Sequence, residues 1–173
     1  MIRVGIGYDS HRFASSRPLI LGGVSVPYPR GLAGHSDADA VAHALADAML
    51  GAMSLGDVGR LFPDTDPAFK GADSMILLGL VRQRVTDAGW MLQQADVTVI
   101  AEAPKLAPHV GAMQARLSQA LGVAPLAISI KAKTNEGMGF IGRAEGIAVL
   151  AVATLVPGTG QAPGTGGSPQ SGV

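Results

Sequence analysis

Three of the four histidines fall within the first 43 residues, at His11, His35 and His43. Asp9 and His11 stand two apart at the end of an alternating segment, where side chains two apart share a face, so a carboxylate and an imidazole can converge on one point. His43 lies in a helical stretch, on the face of Asp39 and Asp47 and away from Val41, Leu45 and Met49. One carboxylate and two imidazoles give three ligands for a tetrahedral ion and leave a fourth position open, which separates a catalytic zinc site from a closed structural one. Asp39 or Asp47, one turn to either side, could orient the His43 ring. The chain has no cysteine, so any metal must be held by His, Asp or Glu. The same residues also fit polar groups satisfied at a strand end and on a helix surface, and the local pattern leaves both readings open.

Two further regions have the composition of an anion site. His35 and Ser36 precede the expected helix, whose free N–H groups and dipole suit a phosphate, although taken alone simple capping by Ser36 accounts for them more readily. The run Lys131 to Gly146 follows a strand and carries four glycines, two lysines, Arg143 and Glu136. Glycines admit backbone N–H groups close to an anion, Lys133 and Arg143 could neutralise phosphate charge, and Glu136 could take a hard cation such as magnesium. The glycine spacing matches neither a Walker loop nor a dinucleotide fingerprint, and a surface loop remains an alternative. Between these regions, Asp57, Asp64 and Asp66 could receive sugar hydroxyls, and Asp64 and Asp66 are equally explicable as turn and cap residues around Pro63 and Pro67.

These groups need elements to position them. Residues 2–8 alternate as a strand with Ile2, Val4 and Ile6 on one side, and Leu19–Leu21 with Val24–Val26 read as a hairpin closed by Gly22 and Gly23. A helix is predicted from about Asp37 to Met53, with Ser36 and Asp39 in a capping-box pattern. A second runs from about Ser74 to Ala88, with Ile76, Leu77, Leu80, Val81 and Val85 on one stripe, and a third from about Pro108 to Leu121. Trp90–Leu92, Val97–Ala101, Leu126–Ala132 and Ile147–Val156 read as strands. The order β-β-α-α-β-β-α-β-β favours an α+β fold: a mixed four-stranded sheet with helices on one face, plus a short hairpin.

Composition removes several classes. At 173 residues the chain is long enough for one domain with its own core, here expected over residues 1–156. Thirteen Lys plus Arg balance thirteen Asp plus Glu, which argues against a nucleic-acid surface. No apolar run approaches the ~20 residues of a membrane span and the start has no signal-peptide pattern, so a cytoplasmic protein is expected. Residues 157–173 hold six Gly, three Pro and no charge, a composition expected to stay disordered.

Taken together, Gly7-Tyr8-Asp9-Ser10-His11, His35-Ser36-Asp37-Ala38-Asp39 with His43, Leu55-Gly56-Asp57-Val58-Gly59 with Leu61-Phe62-Pro63-Asp64-Thr65-Asp66, and Lys133-Thr134-Asn135-Glu136 followed by Gly139-Phe140-Ile141-Gly142-Arg143 resemble the 2-C-methyl-D-erythritol 2,4-cyclodiphosphate synthases over residues 2–156. The resemblance implies a homotrimer with active sites at subunit boundaries and an apolar channel near the threefold axis. It implies a cyclising lyase that closes 4-diphosphocytidyl-2-C-methyl-D-erythritol 2-phosphate and releases CMP. By the same resemblance Asp9, His11 and His43 are zinc ligands, His35 and Thr134 stabilise the transition state, and Glu136 holds a second divalent ion, Mg2+ or Mn2+. Asp57 and Gly59 are expected against the methylerythritol part, with Asp9, His11, Ser36, Val58, Phe62, Asp64, Asp66 and Asn135 as further substrate contacts. Ala101, Pro104, Lys105, Leu106 and Ala107, with Ala132, Lys133 and Thr134, are expected around cytidine, and Phe140 and Arg143 near the substrate and the channel. Lys133 departs from members with Thr there and adds charge near the phosphates. The residues alone leave two competitors: a metal-dependent phosphoesterase using water, and a trimeric nucleotide-binding module without turnover.

Overall fold

The computed structural model describes residues 1–158 apart from Asp64 and Lys70. Strand β1 (Arg3–Ala14) is followed by the hairpin β2 (Leu19–Leu21) and β3 (Val24–Val26), then β4 (Gly31–Leu32). Helix α1 (Ala40–Ala52), the short α2 (Val58–Leu61) and α3 (Ser74–Asp87) lead to β5 (Trp90–Ile100). Helix α4 (Val110–Leu121), β6 (Ile128–Lys133), the single turn α5 (Gly139–Gly142) and β7 (Gly146–Pro157) complete the chain.

The main sheet is mixed, in the order β4-β1-β7-β5-β6, and its one parallel pair is β5 with β6. Four principal strands are those expected; the two-residue β4, too short to show a period, makes the sheet five-stranded. Helix α4 supplies the crossover that a parallel pair requires. Trp90–Leu92 and Val97–Ala101, read as two strands, are one: β5 bulges at Gln93, so that Leu92 opposite Leu155 and Ala95 opposite Ala153 both point inward.

Two faces of β1 behave oppositely to the simplest reading of its sequence. Gly5, Gly7, Asp9 and His11 face α1, while Val4, Ile6 and Tyr8 point away and are 64%, 70% and 53% exposed. A Cβ on Gly7 would lie 1.9 Å from the Ala44 carbonyl oxygen, and one on Gly5 2.0 Å from that of Ala48. The glycines therefore let the helix backbone settle directly on the strand. Helix α1 is buried almost all round, and only His43, Asp47 and Gly51 escape full burial. This is the pattern of a helix enclosed in a core.

The cap of α1 is Asp39, three residues later than expected. Its fully buried carboxylate accepts from Val41 N (3.0 Å) and Ala42 N (3.1 Å), and also from Gly22 N (2.9 Å) and Gly23 N (2.6 Å) in the hairpin turn. Burial pushes this carboxyl above its usual range against the pull of those N–H groups. On α3 the buried stripe is Met75, Leu77, Leu78, Val81 and Val85, while Ile76 and Leu80 face outward. Helix α4 starts later than Pro108, after a 3-10 turn over Ala107–His109. The segment expected to be disordered lies outside the described residues except for Pro157, which pairs with Trp90, and Gly158, whose N–H reaches Gly89 O (2.9 Å). Order therefore extends past residue 156.

Candidate metal centre and active site

Strand alternation places Asp9 and His11 on one face of β1, and α1, drawn close by Gly5 and Gly7, brings His43 over them. Asp9 Oδ2 lies 2.9 Å from His11 Nε2 and 3.2 Å from His43 Nδ1. One atom from each of the three residues falls within 4.8 Å of the others. His11 Nδ1 is 2.6 Å from Ala33 O, and a carbonyl only accepts, so Nδ1 carries the proton of the neutral ring. His11 Nε2 is then a bare lone pair, buried without a hydrogen bond of ordinary geometry, and it faces a carboxylate. Acceptor against acceptor is unfavourable unless a cation lies between them. The donor set, one carboxylate oxygen and two imidazole nitrogens, suits zinc.

Protons expose the same demand. Burial alone would raise the Asp9 carboxyl, yet without a metal a proton taken up between it and the neighbouring imidazoles of His11 and His43 outweighs burial and holds the group at about 2. For His11, burial lowers the pKa but the bond to Asp9 more than offsets it, and the imidazole is pushed above its usual value.

Around the cluster is a cavity of about 380 Å³, whose wall includes His35, Ser36, Asp47, Val58, Gly59 and Phe62. Arg17 secures the loop that carries His35 and Ser36, donating to Gly34 O (2.6 Å) and Ser36 O (2.5 Å). The N–H groups of Val41 and Ala42 at the start of α1 are already taken by Asp39, so a phosphate beside His35 and Ser36 would have to be held by other donors. Ser36 Oγ instead accepts from Ala38 N (3.1 Å) and lies 3.2 Å from His43 Nε2. Neither carboxylate expected behind His43 holds its ring. Asp39 caps the helix, and Asp47 accepts from Val58 N (2.7 Å), fastening α2 beside the cavity. Asp57 caps α2 through Arg60 N (2.8 Å). Asp66 sits in an exposed turn, and Asp64 lies outside the described residues.

The other expected site residues form a separate group beyond the ends of β5 and β6. Ala101 N donates to Lys133 O (2.9 Å). Glu102 accepts from Asn135 N (2.9 Å) and Gly137 N (3.2 Å), and Thr134 donates to Glu136 (2.8 Å). Glu136 adopts a left-handed backbone (φ 51°), which turns the loop back on itself. Ala101 and Leu106 are buried, Lys105 and Ala107 are exposed, and Pro104 follows a cis peptide bond. Ala132, Lys133, Thr134, Glu136 and Phe140 are exposed, as is Arg143, paired with Glu145 at 2.6 Å. None of these residues lines the cavity at the cluster. In the sheet register Asp9, Val149, Val99 and Ala132 form one row, so three strand spacings, roughly 14 Å, separate the two groups. Glu136 belongs to no group of three metal-ligating side chains among the described residues.

Sequence reasoning missed four residues that hold these groups. Arg17 and Glu102 act through backbone atoms, Ser74 reaches His43 from the start of the distant helix α3, and Asp37, in the loop before α1, holds Ser74. The Asp73-Ser74 step before an apolar stretch signals a cap, but nothing local says that α3 begins against α1.

The model of the YgbB family matches residues 2–156. The chain belongs to the YgbB family. Among relatives of this YgbB chain, the 2-C-methyl-D-erythritol 2,4-cyclodiphosphate synthase of Burkholderia cenocepacia (strain HI2424) is 55% identical over 89% of this chain and 96% of its own length. That of Gemmatimonas aurantiaca is 52% identical over 90% and 94%. A solved 2C-methyl-D-erythritol-2,4-cyclodiphosphate synthase in a CDP-bound form superposes with a TM-score of 0.82 at 40% identity, over 89% of this chain and all of that one. The bifunctional IspDF of Campylobacter jejuni gives 0.87 at 46% identity over 90% of this chain, which spans only 42% of that enzyme's length.

Proposed function

We propose that this YgbB-family chain converts 4-diphosphocytidyl-2-C-methyl-D-erythritol 2-phosphate to 2-C-methyl-D-erythritol 2,4-cyclodiphosphate and CMP, in non-mevalonate isoprenoid biosynthesis. The observation that carries this reading is the Asp9, His11 and His43 cluster, open to a cavity, in a chain 55% identical to synthases that it covers almost end to end. Among the described residues no helix is long and apolar enough to cross a membrane, and the proposed location is the cytoplasm.

A phosphate monoester has its second pKa near ~6, so the 2-phosphate oxygen is anionic at neutrality and attacks without a strong base. It forms a bond to the β-phosphorus of the diphosphate as the bond from that phosphorus to CMP breaks, and CMP leaves with the electron pair. The barrier is repulsion between anions and the entropy of ring closure. Zinc held by Asp9 Oδ2, His11 Nε2 and His43 Nδ1 would supply Lewis acidity and a template for the phosphates. His35 on the cavity wall serves as a donor to charge building on the phosphoryl oxygens, and Thr134 is its counterpart on the exposed loop. Gly59, Val58 and Phe62 shape the wall for the methylerythritol part, with Asp57 at the start of α2. The segments 101–107 and 132–135 receive cytidine. Glu136 would hold a second cation, Mg2+ or Mn2+, beside the substrate diphosphate; among the described residues it belongs to no group of three metal-ligating side chains.

We also propose that the two groups meet only across subunits of a homotrimer, with Phe140 and Arg143 toward the shared centre. The separation of the groups within one chain supports this, as does the apolar face of Val4, Ile6, Tyr8, Leu150 and Val152, which nothing covers among the described residues. Phosphorus NMR of the zinc- and magnesium-loaded protein with the diphosphocytidyl substrate tests the activity. Matched appearance of CMP and a cyclic diphosphate is expected. Linear phosphates would identify a hydrolase instead, and no turnover by an intact, metal-loaded assembly would leave a binding module.

A further inference from the structure

We propose that Asp37 and Ser74 are positioning residues that fix the ring and the proton of His43, so that its Nδ1 faces the ligand cluster as a bare lone pair. This rests on the metal-centre reading above and extends it to residues outside the ligand set. Ser74 opens α3 and is buried, and Asp37 lies in the loop before α1. Asp37 accepts from Ser74 N at 3.0 Å with one carboxylate oxygen and from the Ser74 hydroxyl with the other. Its own N–H is tied to Ala72 O at 3.2 Å, so the loop and the start of α3 hold each other in place.

The proton count follows from which groups can donate. A carboxylate only accepts, so the single hydroxyl proton of Ser74 is committed to Asp37, and Ser74 Oγ offers nothing but lone pairs to other neighbours. One of them is His43 Nε2, at 3.0 Å. That contact is favourable only if Nε2 bears a proton. Ser36 Oγ, 3.2 Å from the same nitrogen, already accepts from Ala38 N and can share this proton. In the neutral ring Nδ1 is then unprotonated, 3.2 Å from Asp9 Oδ2 and ready for a cation. The carboxylates on the helix of His43 do not compete, since Asp39 and Asp47 are turned to backbone N–H groups. The chain Asp37 to Ser74 to His43 therefore performs for one imidazole what the Ala33 carbonyl performs for His11.

The test compares metal-free wild type with Ser74→Ala, Asp37→Asn and Ser74→Thr, each checked for folding by circular dichroism and then titrated with zinc against a chromophoric chelator. Ser74→Ala should weaken zinc binding by roughly 10–100-fold, Asp37→Asn by less, and Ser74→Thr, which keeps the hydroxyl, should recover most of the affinity. Proton–nitrogen correlation spectra of the zinc-loaded wild type should contain a slowly exchanging His43 Nε2–H, which Ser74→Ala speeds into exchange with water. Wild-type zinc affinity in folded Ser74→Ala, or in folded Asp37→Asn should the first variant not fold, would overturn the proposal. So would a zinc-loaded His43 protonated at Nδ1. Both readouts are taken without substrate, so a failure of the lyase reading would leave them standing, whereas a wild type that binds no zinc would overturn the metal centre itself.

Discussion

The metal cluster and the loop Thr134 to Glu136 are built by opposite means. Asp9, His11 and His43 come from a sheet strand and an enclosed helix, each partly buried, and one nitrogen of each imidazole is held from behind, by Ala33 O for His11 and by Ser74 for His43. Thr134 and Glu136 are exposed, bond mainly to each other, and rely on Glu102 to hold the turn. The first region is assembled within one chain, and the second is the part that the proposed homotrimer would bring to another chain's cluster. Groups that must present lone pairs to a cation need a rigid cradle before the ligand arrives, while groups that close on a flexible diphosphate can wait for a second surface.

Breaking the cradle should cost most. His43→Ala should lower kcat/KM by at least about 10³-fold and abolish stoichiometric zinc binding while circular dichroism stays native, because the residue is a proposed ligand and lies outside the apolar core. Full activity in that variant would remove the metal assignment. Next comes the scaffold behind the cradle. Asp39→Ala strands four backbone N–H groups in the interior and should destabilise the chain by about 3 kcal/mol in urea unfolding.

The loop should respond differently. Glu136→Gln should reduce kcat/KM roughly 30-fold and raise the magnesium requirement, with zinc affinity and urea midpoint unchanged. A parallel fall in zinc affinity would mean that the two regions are not independent.

The smallest effect concerns protons in the metal-free chain. The His11 pKa is raised, so its pairing with Asp9 stabilises the fold fully below the ordinary histidine value of 6.5 and is lost as pH rises through the raised value. The Asp9 pKa is lowered to about 2, so its contribution is full above 3.8 and lost as pH falls through about 2. Thermal midpoints of metal-free protein should therefore decline on going from mildly acidic to mildly alkaline solution. Asp9→Asn should flatten that slope. Zinc-loaded protein should show the reverse slope, since zinc displaces the same protons.

The sequence made the ligands legible because two-residue spacing on a strand and the polar face of a helix are local facts. It also made the helix ends near Gly89 and Gly122 legible, where a left-handed stop requires glycine. The meaning of the apolar side of β1 was hidden. Ile2, Val4 and Ile6 look like a core stripe, but the glycines between them mark the side on which a helix backbone must fit, a constraint visible only once α1 is in place. The true cap of α1 was missed for a related reason: Asp39 is selected by the hairpin turn at Gly22 and Gly23 as much as by its own helix. Ser74 was unreadable as a site residue because its partners are Asp37 and His43, more than thirty residues away.

In the proposed homotrimer a working site combines the cluster of one chain with the loop of another. His43→Ala and Glu136→Ala chains, each made inactive, can be co-expressed with distinct tags and their mixed assemblies isolated. The isolated mixed trimers should recover about one third of wild-type turnover, since one of the three interfaces in each pairs an intact cluster with an intact loop. Mixed assemblies that bind zinc at their intact clusters yet stay as inactive as either parent would contradict it.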